Sequence, residues 1–184
     1  MATPTITTAL ITSNTSQVAA FAGGCFWGIE HLLRKHFQTT QIIDIKVGYA
    51  NGKEDVHSPS YKAVCTGATN FAEAVLVSYE PSRVSYKELT EFFFRIHDPT
   101  TLNSQGPDVG TQYRSGIYYT TPEQQDVAQR VKDVFQREWY KTTPIVTEIQ
   151  PLKNFYDAEE YHQMYLDVNN LNLNCAAHYL RDRP

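Results

Sequence analysis

Short apolar runs alternate along this chain with segments whose apolar residues recur every three or four positions. The first run is Val18–Ala22, and after two glycines a helical pattern follows at Phe26, Ile29, Leu33 and Phe37. Such a run, followed by glycines and a helical pattern, is typical of a strand that turns directly into a helix. The sequence therefore predicts a strand, a tight turn and a helix in this order.

Similar patterns predict further strands and helices. The apolar segments Ile42–Gly48 and Ala74–Tyr79 are predicted strands. Ser85 and Glu88 have the spacing of a capping box, and Thr121 is placed to cap a helix with proline at its first position. The remaining predictions are strands at 117–119 and 144–149, loops at 50–60 and 100–113, and a last helix at 157–168.

These elements predict an α+β fold of two layers. Helices pack on a central mixed β-sheet with a ferredoxin-like core and long loops. At 184 residues the chain has the length of one domain. Residues 1–16, rich in Thr and Ser, are expected to form a flexible N-terminal tail, and residues 17–184 a single catalytic domain with a mobile C-terminal segment at 169–184.

Charge and targeting signals narrow the possible partners. The formal net charge of −4 argues against nucleic acid or an anionic membrane as the main partner. No apolar run approaches the ~20 residues that a membrane-spanning helix needs. The first basic residue is Arg34, so neither a secretory signal nor a mitochondrial presequence is indicated. We therefore expect a cytoplasmic protein, with no nucleic-acid or membrane partner.

The three cysteines are Cys25, Cys65 and Cys175. Three cysteines do not make a disulfide framework, and no C-x-x-C pair indicates a zinc site. No bound metal or cofactor is therefore expected. Cys65 stands between Val64 and Thr66 and is predicted to be a buried, strand-like residue with a structural role.

The segment Gly23–Gly28, which contains Cys25, carries the clearest chemical signal. A cysteine at a helix start meets unpaired backbone N–H groups and the positive end of the helix dipole, which stabilise the thiolate. Phe26 and Trp27 place an apolar surface beside this nucleophile. The arrangement suits an apolar group attached to an electrophilic atom. A small core cysteine packed among aromatic rings is the alternative interpretation.

Two other polar features have both a functional and a structural interpretation. Glu73 lies at the start of an apolar strand, where a carboxyl that stays protonated can serve as a proton donor. A side chain that points outward at the strand end explains the same residue equally simply. The polar, glycine-rich segment 106–115 can be the wall of a site or only a capped turn.

Five motifs, taken in order, resemble those of the peptide methionine sulfoxide reductase A family. They are GCFWG at 24–28, PSYKAVC at 59–65, FAE at 71–73, GTQYRS at 110–115 and FYDAEEYHQ at 155–163. The resemblance covers about residues 17–180 and points to the type with a single distal cysteine. Several separated motifs together are far more specific than any one of them.

The resemblance implies a role for each matching residue. Cys25 attacks the sulfur of methionine sulfoxide, the S epimer being the family's preference, and Phe26 and Trp27 hold the substrate methyl group. Glu73, in its protonated form, donates to the sulfoxide oxygen. The resemblance also implies that Tyr61 and Tyr113 donate hydrogen bonds to that oxygen and that Asp108 orients this hydrogen-bond network.

The resemblance also implies how the enzyme is recycled. Cys25 is left as a sulfenic acid, and Cys175 condenses with it to a disulfide that thioredoxin reduces, with NADPH as the indirect electron source. Asn174 precedes Cys175 in place of the family's glycine-rich approach, and Ala68 stands where many relatives have an acidic residue. Substrates are free methionine sulfoxide and oxidised proteins, and nothing in the sequence requires more than a monomer.

Two other functions remain conceivable from the residues. A cysteine hydrolase would pair Cys25 with one of the six histidines, although no histidine motif supports it. A non-catalytic module would use the Phe26–Trp27 surface to bind exposed methionine. The hydrolase predicts an acyl-enzyme, and the binding module predicts no turnover at all.

Overall fold

Within residues 3–169 and 176–182, the range that the computed structural model describes, seven strands form one mixed sheet. The elements preceding the site loop are β1 (Thr5–Thr7), β2 (Gln17–Gly23), α1 (Phe26–His36), β3 (Ile42–Ala50), α2 (Tyr61–Cys65), β4 (Ala72–Tyr79) and α3 (Tyr86–Ile96). The later elements are β5 (Ser104–Gln105), β6 (Asp108–Val109), β7 (Ser115–Tyr119), α4 (Pro122–Glu138), β8 (Glu148–Pro151), β9 (Asn154–Asp157) and α5 (Tyr165–Val168). Single 3₁₀ turns lie at Thr111–Tyr113 and Glu160–His162.

The strand order of the large sheet is β1-β9-β3-β4-β2-β7-β8. Its centre, β3-β4-β2-β7, has antiparallel neighbours throughout, whereas β1 pairs with β9 and β7 with β8 in parallel. The sequence β2-α1-β3-β4-α3-β7 is the βαββαβ arrangement of ferredoxin-like folds. The prediction of an α+β fold with a mixed sheet and a ferredoxin-like core is confirmed.

The two faces of the sheet bury different side chains because successive strand residues point in opposite directions. On one face Val75 and Val77 of β4 join the large core formed with α1, α3 and α4. On the other face Ala74 and Leu76 pack in a smaller cluster with Phe155. Glu73 shares the alternation of Val75 and Val77, so the strand directs its side chain toward the helices.

The predicted helix starts are present. Ser85 and Glu88 form the capping box of α3, and the Thr121 side chain accepts a hydrogen bond from the backbone of Gln124 at the start of α4. Cys25 stands at the N-cap of α1, where its side chain makes no capping hydrogen bond. Local sequence is sufficient at these positions because a cap involves residues only three positions apart.

The predicted helix at 157–168 is wrong. Asp157 ends β9, where it pairs with Gly48 of β3, and only a 3₁₀ turn and the four-residue α5 follow. Met164 has φ +52°, a left-handed conformation that a helix cannot pass through. The predicted strand at 144–149 also begins late, since β8 starts only at Glu148.

The prediction for Cys65 is wrong as well. Cys65 ends the short helix α2 and is exposed. The cause is the start of that helix, because the Ser60 side chain accepts a hydrogen bond from the N–H of Ala63 and caps it. The capping residue makes residues 61–65 helical, although their apolar residues are compatible with a strand.

Both ends of the described chain contact the domain. Thr5–Thr7, within the predicted tail, forms β1 at the edge of the sheet. Ala177 and His178, within the predicted C-terminal segment, are buried. The division into a tail, a catalytic domain and a mobile segment stays a prediction, and Cys175 lies outside the described residues. In the part of the chain described, no helix is long and apolar enough to cross a membrane.

Candidate active site

A sharp turn places Cys25 between β2 and α1. Gly24 has φ +92°, and a Cβ at that position would lie 2.5 Å from the Cβ of Gln105. Gln105 is held there by its side-chain amide, which accepts a hydrogen bond from the backbone N–H of Asp98 and donates one to the Asp98 carbonyl. Only glycine combines this conformation with this approach, so the turn places a half-buried Cys25 at the start of the helix.

Glu73 points inward, beside this turn. Its side chain is 1% exposed, and its Oε2 accepts a 3.1 Å hydrogen bond from the backbone N–H of Phe26. Burial raises the pKa of Glu73 to about 8; the Phe26 hydrogen bond opposes this effect and the charge of Asp108 adds to it. The carboxyl group is therefore largely protonated at neutral pH, which fits a proton donor.

Asp108 and Tyr113 come to the site from the loop 100–115. Asp108 lies in β6, where burial raises its pKa. Burial also raises the pKa of Tyr113, and the charges of Glu73, Asp108, Cys65 and Cys25 add to the effect. Tyr113 therefore lies close enough to Cys25 and Cys65 for their charges to affect its pKa. Its hydroxyl stays protonated and can donate a hydrogen bond at the site.

Tyr61 enters the site from the first residue of α2. Burial raises its pKa, and the next largest contribution is the hydrogen bond that its hydroxyl donates to Cys65. Burial also raises the pKa of Cys65, and the hydrogen bond from Tyr61 opposes that effect. The exposed thiol of Cys65 thus has a polar contact to a predicted site residue, which the sequence did not suggest.

Trp27 is held in place by His162, from the last motif, and by Tyr165, the first residue of α5. Its indole N–H donates a 3.2 Å hydrogen bond to Nδ1 of His162, and its ring stacks on Tyr165 at 3.8 Å between centroids with 10° between the planes. Because Nδ1 of His162 accepts a hydrogen bond, the proton of the neutral ring is on Nε2. The His162 ring also lies 5.3 Å from Phe26 and 4.5 Å from Tyr61.

Glu159 is a residue of the site that the sequence reasoning missed. Its carboxylate accepts a 2.7 Å hydrogen bond from the hydroxyl of Tyr49 and a 2.9 Å hydrogen bond from the backbone N–H of Tyr61. Burial acts to raise the pKa of Glu159, but the hydrogen bonds from Tyr61 and Tyr49 outweigh it and the pKa lies below its usual value. Glu159 therefore fixes the start of α2. No local signal distinguishes it from Glu160.

The chain that follows Cys175 contacts the same turn. Nε2 of His178 donates a 2.7 Å hydrogen bond to the carbonyl oxygen of Gly23. Burial lowers the pKa of His178 to about 4, and the hydrogen bond to Gly23 opposes this effect. The His178 ring also fills the space beside Gly28, where a Cβ would lie 2.6 Å from its Nδ1. The fold therefore brings residue 178 to the first turn of α1.

The predicted site residues thus converge on one end of the sheet, with the exception of Cys175, which the structure does not describe. Cys25, Phe26 and Trp27 come from α1, Glu73 from β4, Tyr61 from α2, and Asp108 and Tyr113 from the loop before β7. Their individual roles stay predictions. Among the described residues no group of His, Cys, Asp or Glu could hold a metal ion.

This arrangement defines a class of enzyme. A cysteine at a helix N-terminus, a buried protonated carboxyl and tyrosine hydroxyls converge beside aromatic rings, and together they can transfer an oxygen from an apolar substrate to the thiol. The comparisons agree with this class. A family model described as peptide methionine sulfoxide reductase matches residues 17–183. The chain belongs to this family.

Individual relatives are similar over nearly the whole chain. The peptide methionine sulfoxide reductase of Saccharomyces cerevisiae is 52% identical over 170 residues, which are 90% of this chain and 91% of the relative. The probable peptide methionine sulfoxide reductase of Schizosaccharomyces pombe is 46% identical over 166 residues, 90% of this chain and 96% of the relative.

Solved structures show the same fold. Reduced Mxr1 from Saccharomyces cerevisiae superimposes with a TM-score of 0.88 at 49% identity, covering 95% of this chain and 97% of that one. Methionine sulfoxide reductase A of Corynebacterium diphtheriae gives 0.78 at 35% identity, covering 89% and 80%. The predicted family and the predicted thiol-dependent reduction of methionine sulfoxide are confirmed, and neither the hydrolase nor the binding module is favoured.

Proposed function

We propose that this enzyme reduces the S epimer of methionine sulfoxide, free or in proteins, through a sulfenic acid at Cys25. The observation that carries the proposal is the buried carboxyl of Glu73, which accepts a hydrogen bond from Phe26 and has a pKa raised to about 8. A protonated acid next to the Cys25 turn is what the sulfoxide oxygen needs, because the oxygen leaves the methionine sulfur more readily once it is protonated.

In the first step the Cys25 thiolate attacks the sulfoxide sulfur, and the proton of Glu73 goes to the sulfoxide oxygen. The attack forms a bond between the Cys25 sulfur and the methionine sulfur. The protonated oxygen then moves to Cys25: its bond to the methionine sulfur breaks, its bond to the Cys25 sulfur forms, and the S–S bond breaks to release methionine. Methionine sulfoxide is thus reduced to methionine by two electrons and Cys25 is oxidised by two, to the sulfenic acid. Tyr61 and Tyr113 donate hydrogen bonds to the oxygen during this transfer, and Asp108 orients the network.

Phe26 and Trp27 hold the methyl group of the substrate. The indole of Trp27 is fixed by its hydrogen bond to His162 and its stack on Tyr165, so its surface is in place before the substrate binds. A pre-formed apolar surface beside Cys25 favours the epimer whose oxygen then faces Glu73.

In the recycling steps the thiol of Cys175 attacks the sulfenic acid of Cys25, and a disulfide forms with release of water. Thioredoxin reduces this disulfide by exchange, and NADPH supplies its electrons through thioredoxin reductase. The solved complex of Saccharomyces cerevisiae Mxr1 with Trx2, which superimposes with a TM-score of 0.63 at 35% identity over 94% of this chain and 99% of that one, supports this choice of reductant.

The cellular setting follows from the same proposal. The enzyme acts in the cytoplasm as a monomer, without a bound cofactor and without nucleic-acid or membrane partners. The formal net charge of −4 supports the part of this proposal that concerns nucleic acid and anionic membranes.

The test is NADPH consumption coupled to thioredoxin, with the separate S and R epimers of a methionine sulfoxide peptide. Wild type is expected to turn over the S epimer alone. Cys175→Ser is expected to make one methionine per enzyme and then stop with thioredoxin. No product from either epimer, even with dithiothreitol, would refute the proposal, and full thioredoxin turnover by Cys175→Ser would refute the recycling steps.

A further inference from the structure

The described residues that follow Cys175 form a tightly attached strip on the surface. Besides the hydrogen bond of His178 to Gly23, the backbone N–H of Arg181 donates to the Arg95 carbonyl at 2.8 Å, and Nε of Arg95 donates to the Arg181 carbonyl at 3.1 Å. Residue 178 is thus fixed to the end of β2, and residue 181 to α3. The two residues between them have little freedom to fold inward.

Those two residues are apolar and exposed. Tyr179 is 53% exposed and Leu180 is 43% exposed, although both are large hydrophobic side chains. The guanidinium of Arg181 lies 4.2 Å from the centroid of the Tyr179 ring and holds that ring in one orientation. Exposed apolar residues held in a fixed orientation are typical of surfaces that bind another protein.

A groove adjoins this pair. It has a volume of about 410 Å³, and its lining comes from three parts of the chain: Asp98, the pair Trp139 and Tyr140 that follows α4, and residues 179–182. Arg95 lies over the Trp139 ring at 5.8 Å. The groove thus combines three aromatic side chains with an arginine and two aspartates, and aromatic and arginine side chains are the ones enriched in protein-binding hot spots.

We infer that Tyr179, Leu180 and the adjoining groove are the docking surface for thioredoxin, an inference that rests on the proposed function. A dithiol protein that attacks the disulfide of Cys175 must cover the surface beside that cysteine, which includes residues close to it in the chain. Tyr179 and Leu180 follow it by four and five residues, and the strip is anchored to the Cys25 turn through His178. In the proposed mechanism the methionine sulfoxide, by contrast, contacts Trp27 and Glu73.

The test separates docking from chemistry by changing the reductant. In Tyr179→Ala/Leu180→Ser, turnover with dithiothreitol is expected to stay at the wild-type rate, because a small dithiol needs no docking surface. With thioredoxin, the KM for thioredoxin is expected to rise about tenfold or more. The matched control is Ile6→Ser/Ile11→Ser, which replaces two exposed hydrophobic residues near the N-terminus and is expected to change neither assay.

Each other outcome is decisive. An unchanged KM for thioredoxin in the docking variant would refute the inference while the proposed function stands. Loss of activity with both reductants would also refute it, because the strip would then support the reaction itself. If wild type reduced no sulfoxide even with dithiothreitol, the proposed function would fail first and the inference with it.

Discussion

The backbone N–H of Phe26 and the side chain of Glu73 form a 3.1 Å hydrogen bond that joins α1 to β4 across 47 positions of sequence. One oxygen of the carboxyl is thereby fixed one residue away from Cys25. The other oxygen remains to carry the proton, since burial favours the neutral acid. The contact therefore positions the carboxyl group, while burial keeps it protonated.

Glu73→Gln is expected to slow the first turnover by about 10²–10⁴-fold, because an amide keeps the shape of the side chain but has no acidic proton to give. The wild-type rate of methionine formation should decline above about pH 8 as Glu73 ionises, and this decline should be absent in the variant. Rapid-quench measurement of methionine without a recycling reductant, from pH 6 to 10, follows the chemical step alone. A variant that keeps the alkaline decline would show that another group supplies the proton.

Glu73 should also give stability a characteristic dependence on pH. The unfolded carboxyl, with a pKa near 4.5, ionises above that pH, whereas the folded one keeps its proton to about 8. The contribution of the neutral acid is therefore fully present below pH 4.5 and is lost as pH rises through 8, by up to about 1.4 kcal/mol per pH unit between these values.

Urea denaturation of wild type and Glu73→Gln at several pH values checks this contribution. The free energy of unfolding of wild type should fall relative to that of the variant as pH rises from 5 to 8. Glu160→Gln, at an exposed neighbour of the site, is the control and should follow the wild-type curve. Parallel curves for wild type and Glu73→Gln would mean that Glu73 has an ordinary pKa in the folded protein.

Gly24→Ala is expected to lower the free energy of unfolding by more than about 2 kcal/mol and to abolish reaction of Cys25 with substrate. An alanine held in the left-handed backbone conformation lowers the free energy of unfolding by roughly 1–2 kcal/mol by itself. Here the new Cβ would also collide with Gln105. Gly67→Ala is the matched control, because Gly67 has φ +74° but its nearest neighbour, Thr111 Oγ1, is 3.7 Å away. Equal losses of stability in the two variants would show that contact with Gln105 is unimportant.

Glu159→Ala is expected to slow turnover through Tyr61. The change removes the acceptor of the Tyr61 backbone N–H and of the buried Tyr49 hydroxyl, so the start of α2 loses its attachment to the sheet, at roughly 1–3 kcal/mol of stability. Glu159→Gln, which keeps an acceptor oxygen, should recover part of the rate. A double-mutant cycle with Tyr61→Phe measures the coupling, and additive effects of the two changes on kcat would exclude action through Tyr61.

His162→Phe is expected to raise the KM for the sulfoxide about fivefold with little change in kcat, because the indole N–H of Trp27 loses its acceptor while the ring packing remains. Fluorescence of Trp27, measured in a Trp139→Phe background, should show the altered surroundings of the indole. His36→Phe is the control, since His36 is exposed and stacks on Phe92. An unchanged KM together with unchanged fluorescence would contradict the positioning role.

The local parts of the site could be predicted from the sequence. Two glycines between an apolar run and a helical pattern predicted the turn that places Cys25 at a helix start, and the capping residues at Ser85 and Thr121 marked two further helix starts. These features depend on residues at most a few positions apart. The same local reasoning failed at Cys65, because the cap at Ser60 was overlooked, and at 157–168, where pairing of Asp157 with β3 prevailed over a helical pattern.

The sequence by itself determined the turn at Cys25, the helix starts and the order of the motifs, because each depends on neighbouring residues and on their backbone preferences. Only the tertiary structure decided that Glu73 points inward, that Glu159 holds Tyr61 across 98 positions and that His162 holds Trp27 across 135. The physical reason is that a buried carboxyl acquires its protonation state, and an indole its orientation, from groups that strand pairing brings together. Nothing in the residues next to Glu73 or Trp27 specifies those groups.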